Sequence, residues 1–198
     1  DEIEDYDEIF TYSTNPTDSD TDDDGLTDYG EIFTHGTDPL LPDTDEDGLN
    51  DGLEITIGIN PLAIDSDSDG LNDTWEYTRT SQGYNYNPGN NDTDGDGVQD
   101  GDEDLDTDGL TNLEEINTYE TSPMDEDSDG DTLWDGDEVK PWEIDKDGIN
   151  NQYNYPSNPN NLDSDGDGLS DYEEVTPSND TYDSRTDPED SDTDGDGL

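Results

Sequence analysis

Apolar residues are sparse in this chain and stand at fixed distances from runs of alternating aspartates. The recurring phrase is D-x-D-x-D-G-[LVI]-x-[DN]-x-x-E, in which position 7 is apolar and a second apolar residue usually follows position 12. A helix of one or two turns that begins at position 9 would bring these two apolar residues together. The pattern therefore predicts a very small apolar core in each copy of the phrase.

Internal repetition organises the whole sequence. Seven copies of the phrase are nearly complete, an eighth is degraded and a ninth is cut off at position 7. We number them loops 1 to 9, and they span residues 20–31, 43–54, 65–76, 92–103, 104–115, 127–138, 143–154, 163–174 and 192–198. Because the spacing between copies varies, we expect a loose tandem array rather than a strict solenoid, and a piece of a longer array.

The segments between the loops carry a phrase of their own, in which proline follows Asn, Asp or Ser. The prolines concerned are Pro16, Pro39, Pro61, Pro123 and Pro188. This combination stops a helix and starts an extended or turn segment. The predicted unit is therefore a loop, a short helix, a turn and an extended return.

The composition limits what can hold such an array together. The chain has 198 residues, of which 62 are Asp or Glu and only four are Lys or Arg, so its formal net charge is -58. With 23% hydrophobic residues, burial cannot offset an ordering cost of roughly 1–2 kcal/mol per residue. The charge also argues against nucleic acid and anionic membranes as partners, and no apolar run is long enough to span a membrane. Cysteine is absent, which leaves carboxylates as the plentiful ligands, and these favour hard cations such as Ca²⁺ or Mg²⁺.

The acids keep a nearly strict phase relative to glycine and leucine. Halophilic adaptation or a solvated disordered tail would scatter the acids or run them in blocks. The observed phase is that of an EF-hand loop, where side chains at positions 1, 3 and 5, the carbonyl at 7, a group at 9 and a bidentate Glu at 12 surround Ca²⁺. Glycine at position 6 takes the sharp turn. Thr132 alone replaces it, so loop 6 is expected to have a strained or altered turn.

The fold class predicted from these patterns is a metal-stabilised repeat protein with little regular secondary structure, made of tandem EF-hand-like calcium loops and short helical turns. We expect about one or more calcium ions per loop. The predicted metal ligands are Asp20, Asp22, Asp24, Leu26, Asp28, Glu31, Asp43, Asp45, Asp47, Leu49, Asp51, Glu54, Asp65, Asp67, Asp69, Leu71, Asp73, Glu76, Asp92, Asp94, Asp96, Val98, Asp100, Glu103, Asp104, Asp106, Asp108, Leu110, Asn112, Glu115, Asp127, Asp129, Asp131, Leu133, Asp135, Glu138, Asp145, Asp147, Ile149, Asp163, Asp165, Asp167, Leu169, Asp171, Glu174, Asp192, Asp194, Asp196 and Leu198.

With these loops and the G-T-D-P spacer at residues 36–39, the chain resembles the thrombospondin type 3 repeat in its cysteine-free, prokaryotic form. The resemblance covers essentially the whole chain. It implies an extended structure wrapped around a line of calcium ions, used in extracellular matrix or cell-surface assembly. It also implies that neighbouring ions share carboxylates, for which Asp18, Asp125, Glu126 and Asp190 are candidates. Dockerins use a related loop, but they come as one pair with Asp typical at position 12.

We therefore expect a calcium-stiffened stalk, surface-layer or filament component used in cell-surface assembly or adhesion, with no enzymatic activity. The alternative is a calcium-storage or mineral-interacting acidic protein. Extracellular modules of this kind bind calcium at roughly 10⁻⁴–10⁻³ M, which predicts an extracellular or cell-surface location. The expected partners are calcium ions and other copies of the chain or other surface proteins.

The aromatic residues and the single histidine allow two interpretations each. His35 lies in a spacer and is expected to be a turn residue rather than a general base. Trp75, Trp134 and Trp142 allow a sugar-binding platform, but packing is the favoured role of Trp75 and Trp134, which lie within loops. The two Tyr-Asn-Tyr segments, at 84–86 and 153–155, are predicted to cover a neighbouring repeat or, alternatively, to contact a partner.

Overall fold

The structure is a computed structural model that describes residues 2–140, 156–176, 186–193 and 195. Within these residues the regular elements are short helices, and no strand occurs among them. The chain divides into two units, Asp1–Gly101 and Asp102–Leu198. Loop 7 and most of loop 9 lie outside the described residues, as do Trp142 and the segment 153–155.

Each described loop is followed by a helix that begins at position 9, as the sequence predicts. The α-helices are α1 (Asp5–Asp7), α2 (Asp28–Gly30), α3 (Asp51–Ile57), α4 (Asp73–Gln82), α5 (Asn112–Glu114), α6 (Asp135–Val139) and α7 (Asp171–Val175). Helices α1, α2 and α5 continue as π-helical turns over Glu8–Tyr12, Glu31–His35 and Glu115–Tyr119, while loop 4 has a 3₁₀ turn at Asp100–Asp102.

The side chain at position 8 caps the start of α2 to α5 and of α7, whereas Trp134 before α6 makes no such bond. In α3 the side chain of Asn50 accepts a 2.7 Å hydrogen bond from the Leu53 N–H, and Asn72 does the same for the Trp75 N–H in α4. Such a side chain satisfies a backbone donor that has no partner within the helix. Helices α3 and α4 end at glycines in the left-handed conformation, Gly58 and Gly83.

The apolar core is small and uneven. Leu71, Leu110 and Leu133, all at position 7, are at most 1% exposed, as predicted. The prediction that every position-7 side chain packs inward is wrong for Val98 and Leu169, which are 41% and 43% exposed. For Val98 the reason lies in the sequence, because an aspartate rather than an apolar residue follows position 12 of loop 4. Buried residues are otherwise mostly acidic, so the interior is not held by apolar contacts alone.

Trp75 packs within its own unit, which confirms the packing interpretation for this residue. The ring of Tyr86 meets it edge-on at 5.1 Å, and the Arg79 guanidinium lies 5.0 Å from its centre. Tyr86 is buried, and its carbonyl oxygen accepts a hydrogen bond from the Thr80 hydroxyl. Tyr84 stays exposed. The described part of the chain contains no helix with the length and apolar character that crossing a membrane requires.

Candidate metal centre

Backbone conformation turns the first three aspartates of each loop inward. In loop 3, Ser68 and Gly70 both adopt positive φ, at 69° and 98°. The Gly70 N–H then donates to Asp65 Oδ2 at 3.0 Å, and the Leu71 N–H donates to an oxygen of Asp69 at 2.8 Å. Oδ2 of Asp67 and Oδ2 of Asp69 have no donor among the described residues and remain available as ligands. Asp65 instead uses both oxygens to hold the turn, because its Oδ1 accepts from the Ser68 N–H at 2.7 Å.

Loop 6 keeps the same turn despite its threonine. Thr132 has φ of 89°, in the left-handed region that glycine occupies in the other loops. Its N–H donates to Asp127 Oδ2 at 3.0 Å, as the glycine N–H does elsewhere. The predicted strain is therefore present at Thr132, because a β-branched residue is costly at positive φ, but the turn is not altered.

A hydroxyl at position 2 fixes the carboxylate at position 9. In loop 3 the Ser66 hydroxyl donates to Asp73 Oδ2 at 2.6 Å, and the Ser66 N–H donates to Asp73 Oδ1 at 2.9 Å. The same hydroxyl accepts a hydrogen bond from the Asn60 N–H in the preceding spacer at 2.9 Å. These hydrogen bonds run from the spacer N–H to the hydroxyl at position 2 and from that hydroxyl to the carboxylate at position 9. We call them the hydroxyl relay, and they connect the spacer, the loop and the helix.

The hydroxyl relay recurs in loops 1, 2, 6 and 8. It uses Thr21, Thr44, Ser128 and Ser164 at position 2. The sequence departs from the pattern twice: position 2 is Leu105 in loop 5 and Ile144 in loop 7, and there position 9 is Asn112 and Asn151 instead of Asp. This pairing of the two positions is a signal that sequence reasoning could have used and did not.

The glutamate at position 12 is buried in every described loop that has one except loop 4, where Glu103 is half-buried. Glu31, Glu54, Glu76, Glu115 and Glu138 are all 0% exposed. Neither carboxylate oxygen of Glu54, Glu76 or Glu115 has a hydrogen-bond donor among the described residues. A buried carboxylate without donors is costly unless a cation compensates it.

A spacer hydroxyl reaches some of these glutamates. The hydroxyls of Ser157 and Thr186 donate to Glu138 Oε1 and Glu174 Oε1 at 2.9 and 2.7 Å. One hydrogen bond satisfies only part of a carboxylate. The other oxygen of each, Oε2, has no donor among the described residues, so the need for a positive partner remains.

Two kinds of acidic cluster result, each with oxygens within 4.8 Å of one another. The first contains positions 1, 3 and 5 of one loop, as in Asp20, Asp22 and Asp24. The second contains positions 5 and 12 of one loop and position 9 of the next, as in Asp24, Glu31 and Asp51, or in Asp69, Glu76 and Asp100. Position 9 therefore joins the cluster of the preceding loop. Asp18, Asp125, Glu126 and Asp190, the predicted candidates for sharing between loops, are all exposed.

A direct backbone contact aligns consecutive loops in the second cluster. The Gly52 N–H of loop 2 donates to Asp24 Oδ2 of loop 1 at 3.0 Å. The Tyr172 N–H of loop 8 makes the same bond to Asp131 Oδ2 of loop 6 at 2.6 Å, with loop 7 between them in the sequence. A Cβ at Gly52 would overlap with the carbonyl oxygen of Asp24. The approach of one loop to the next is thus close enough to require glycine at this point.

Burial among aspartates raises the pKa values of several position-12 glutamates. Burial, reinforced by Asp69 and Asp67, raises the pKa of Glu76 to about 9. Burial raises the pKa of Glu138 to about 10, although the Ser157 hydroxyl opposes the shift. Without a compensating cation these side chains would hold a proton at neutral pH.

The residues present fit a hard divalent cation. The ligand atoms of the clusters named above are carboxylate oxygens, several of them buried and without hydrogen-bond donors among the described residues. Ca²⁺ takes six to eight oxygen ligands in flexible geometry. The clusters supply the predicted side chains of positions 1, 3, 5 and 12, and they add position 9 from the following loop.

Not every predicted ligand lies in such an environment. Asp94 and Asp96 of loop 4 are exposed, unlike the corresponding residues of loops 1 to 3. The predicted ligands Asp145, Asp147, Ile149, Asp194, Asp196 and Leu198 lie outside the described residues.

A family profile described as the bacterial TSP3 repeat matches residues 20–42, 43–63, 92–106 and 163–176. The resemblance to the thrombospondin type 3 repeat is therefore confirmed, and thrombospondin type 3 repeats are calcium-binding repeats. No curated protein matches the chain. No solved structure matches it either.

Proposed function

We propose that this chain of bacterial TSP3 repeats is a structural array outside the cell, folded around calcium ions and used in cell-surface assembly or adhesion. Calcium is assigned to both kinds of cluster, the one inside each loop and the one shared between consecutive loops. The ion would be held by positions 1, 3, 5 and 12 and by position 9 of the next loop. It supplies positive charge to the interior and links repeats that share few apolar contacts.

The observation that carries this proposal is the burial of the position-12 glutamates among aspartates. Neither carboxylate oxygen of Glu54 or Glu76 has a hydrogen-bond donor among the described residues, and both residues are fully buried. Folding that places such a group inside in its ionised form needs a compensating cation, so binding free energy becomes folding free energy. Stable burial also favours a structural role over calcium storage, for which rapid release from open sites would be required.

The extracellular location is proposed on the chemistry of the ion. Extracellular calcium modules bind at roughly 10⁻⁴–10⁻³ M, so an array of such sites is filled outside the cell and largely empty in the cytosol. The expected partners, other copies of the chain or other surface proteins, belong to the same proposal. No catalytic role is proposed, since the paired acids are accounted for as ligands.

The test compares calcium-loaded and EDTA-treated chains by native mass spectrometry, circular dichroism and small-angle X-ray scattering. We expect several bound calcium ions, and we expect loss of helical signal with expansion of the chain once they are removed. Glu54→Gln should bind fewer ions and fold at higher calcium concentration than the parent. Its matched control is Glu46→Gln, because Glu46 lies at position 4 of the same loop and is exposed.

Two results would overturn the proposal. One is a metal-free chain with the same scattering profile and heat resistance as the loaded chain. The other is equal calcium binding by the Glu54 and Glu46 variants, since that would leave the buried cluster without a function.

A further inference from the structure

An exposed row of aromatic rings runs across two successive repeats in the first unit. Tyr6 and Phe10 lie 4.8 Å apart, and the equivalent pair in the next repeat, Tyr29 and Phe33, lies 4.9 Å apart. Tyr12, two residues after Phe10 in the sequence, meets Phe33 of the second pair edge-on at 6.0 Å. We call these five residues the aromatic ladder.

Solvent reaches most of the ladder. Phe10 is 70% exposed, Tyr6 69% and Phe33 54%. Within the described residues, Trp75 shows how a packed ring differs, since it lies against Tyr86 and Arg79. Several exposed rings grouped on successive repeats are a feature of interaction surfaces rather than of packing.

The charge around the ladder selects the kind of partner. Glu2, Glu4, Asp5 and Asp7 are exposed acids on the same short segment as Tyr6 and Phe10. No Lys or Arg occurs before Arg79, so the sequence around the ladder places no permanently charged base beside these acids. Anionic partners are repelled, whereas a cation gains from both the carboxylates and the ring faces.

We propose that the aromatic ladder binds an arginine-rich segment of a partner protein. The guanidinium group stacks on aromatic rings and pairs with carboxylates, and it is less strongly hydrated than the ammonium group of lysine. The chain already contains one such contact, between Arg79 and Trp75 at 5.0 Å. The aromatic ladder offers an arginine side chain the same cation–π contact, with exposed ring faces and acidic residues nearby.

The test uses the calcium-loaded full chain and three probes: a labelled octa-arginine peptide, an octa-lysine peptide and a neutral glucose hexasaccharide. Binding is measured by fluorescence anisotropy for the peptides and by calorimetry for the sugar. The peptide titrations are repeated at about 1 M NaCl, where the Debye length is about 3 Å, so that long-range attraction to the acidic chain is screened. The variant is Phe10→Ala/Phe33→Ala.

The matched control is Leu41→Ala/Leu62→Ala, because both leucines are exposed to a similar degree in the same unit. We expect the ladder variant to bind octa-arginine about tenfold more weakly than the parent, and the control variant to bind it as the parent does. Octa-lysine should bind more weakly than octa-arginine at high salt. Circular dichroism of each variant in calcium separates loss of binding from loss of folding, and hence from failure of the calcium proposal.

Three outcomes would overturn the inference. Equal affinity of parent and ladder variant for octa-arginine would mean that net charge alone attracts the peptide. An equal loss in the ladder and control variants would remove the special role of the rings. Binding of the hexasaccharide that depends on Phe10 and Phe33, without such dependence for the peptide, would make the ladder a sugar platform instead.

Discussion

The N–H of Gly136 donates a 2.8 Å hydrogen bond to Oδ2 of Asp108, a residue 28 positions earlier in the chain. Gly136 stands at position 10 of loop 6, and Asp108 stands at position 5 of loop 5. A Cβ at Gly136 would overlap with the Asp108 carbonyl oxygen. The backbone of one loop thus holds a metal-facing carboxylate of the loop before it, which couples the two predicted sites mechanically.

This contact predicts that Gly136→Ala destabilises the calcium-loaded chain by about 1–3 kcal/mol, because loops 5 and 6 must move apart to admit the methyl group. Urea unfolding in excess calcium measures the change. Gly130→Asn is the control: Gly130 has open space around it, and asparagine tolerates its positive φ. Equal stability of the Gly136 variant and the parent would show that the close approach is not required.

Thr132→Gly is expected to stabilise the chain. Thr132 has φ of 89°, a conformation that costs a non-glycine residue roughly 1–2 kcal/mol, and part of this gain is lost to the greater freedom of glycine when unfolded. We expect a net gain of about 1 kcal/mol in urea unfolding. The reciprocal change Gly70→Thr, at position 6 of loop 3, should lower stability. A less stable Thr132→Gly variant would contradict the strain assigned to this turn.

The hydroxyl relay predicts that Ser66→Ala costs about 1–3 kcal/mol, because it removes a hydrogen bond to the fully buried carboxylate of Asp73. The spacer N–H of Asn60 loses its acceptor as well. Thermal unfolding in excess calcium measures the effect. Ser81→Ala serves as the control, since Ser81 is exposed at the end of α4; a similar small change in both variants would count against the relay.

The raised pKa values predict that the calcium-free fold weakens as pH rises, which is a reason why EDTA should unfold the chain at neutral pH. The pKa of Glu76 is about 9 in the fold, against 4.5 ordinarily. Between these values the unfolded chain is ionised while the metal-free fold holds a proton on Glu76, so the metal-free fold loses stability as pH rises from about 4.5 towards 9. Calcium takes the place of the proton, and its affinity should rise over the same range.

Circular dichroism in EDTA between about pH 5 and pH 9 measures this dependence. We expect the helical signal to be retained best at the acidic end of the range and to be lost towards its basic end, and the loss to be smaller for Glu76→Gln than for the parent because glutamine cannot ionise. Glu120→Gln, which changes an exposed glutamate, should behave as the parent does. A helical signal in EDTA that is independent of pH would contradict the raised pKa values.

Several features of the candidate site follow directly from local sequence. The phase of Asp and Gly predicts the turn at positions 4 to 7, and proline after Asn, Asp or Ser predicts where each helix has ended. These are short-range effects of backbone sterics and of hydrogen bonds between near neighbours. For the same reason the helix start at position 9 is readable, because the cap at position 8 lies directly beside it.

Contacts between repeats could not be predicted from local sequence. That Asp51 joins the cluster of Asp24 and Glu31 depends on how one loop lies on the previous one, and nothing within a single phrase encodes it. The exposure of Val98 and Leu169 likewise depends on what the neighbouring segments cover. The hydroxyl relay was partly predictable. The sequence shows that the residue types at positions 2 and 9 change together, but only the structure shows that the two side chains form a hydrogen bond.

By itself, therefore, the sequence determined the composition of each site: oxygen ligands in fixed phase, a glycine turn and too few apolar residues to form an ordinary core. Only the tertiary structure decided which carboxylates meet, which are buried and which rings face solvent. The physical reason is the sequence separation over which each interaction acts. Turns and caps depend on atoms a few bonds apart, whereas burial and the sharing of acids between loops depend on residues more than twenty positions apart that folding brings within 4.8 Å.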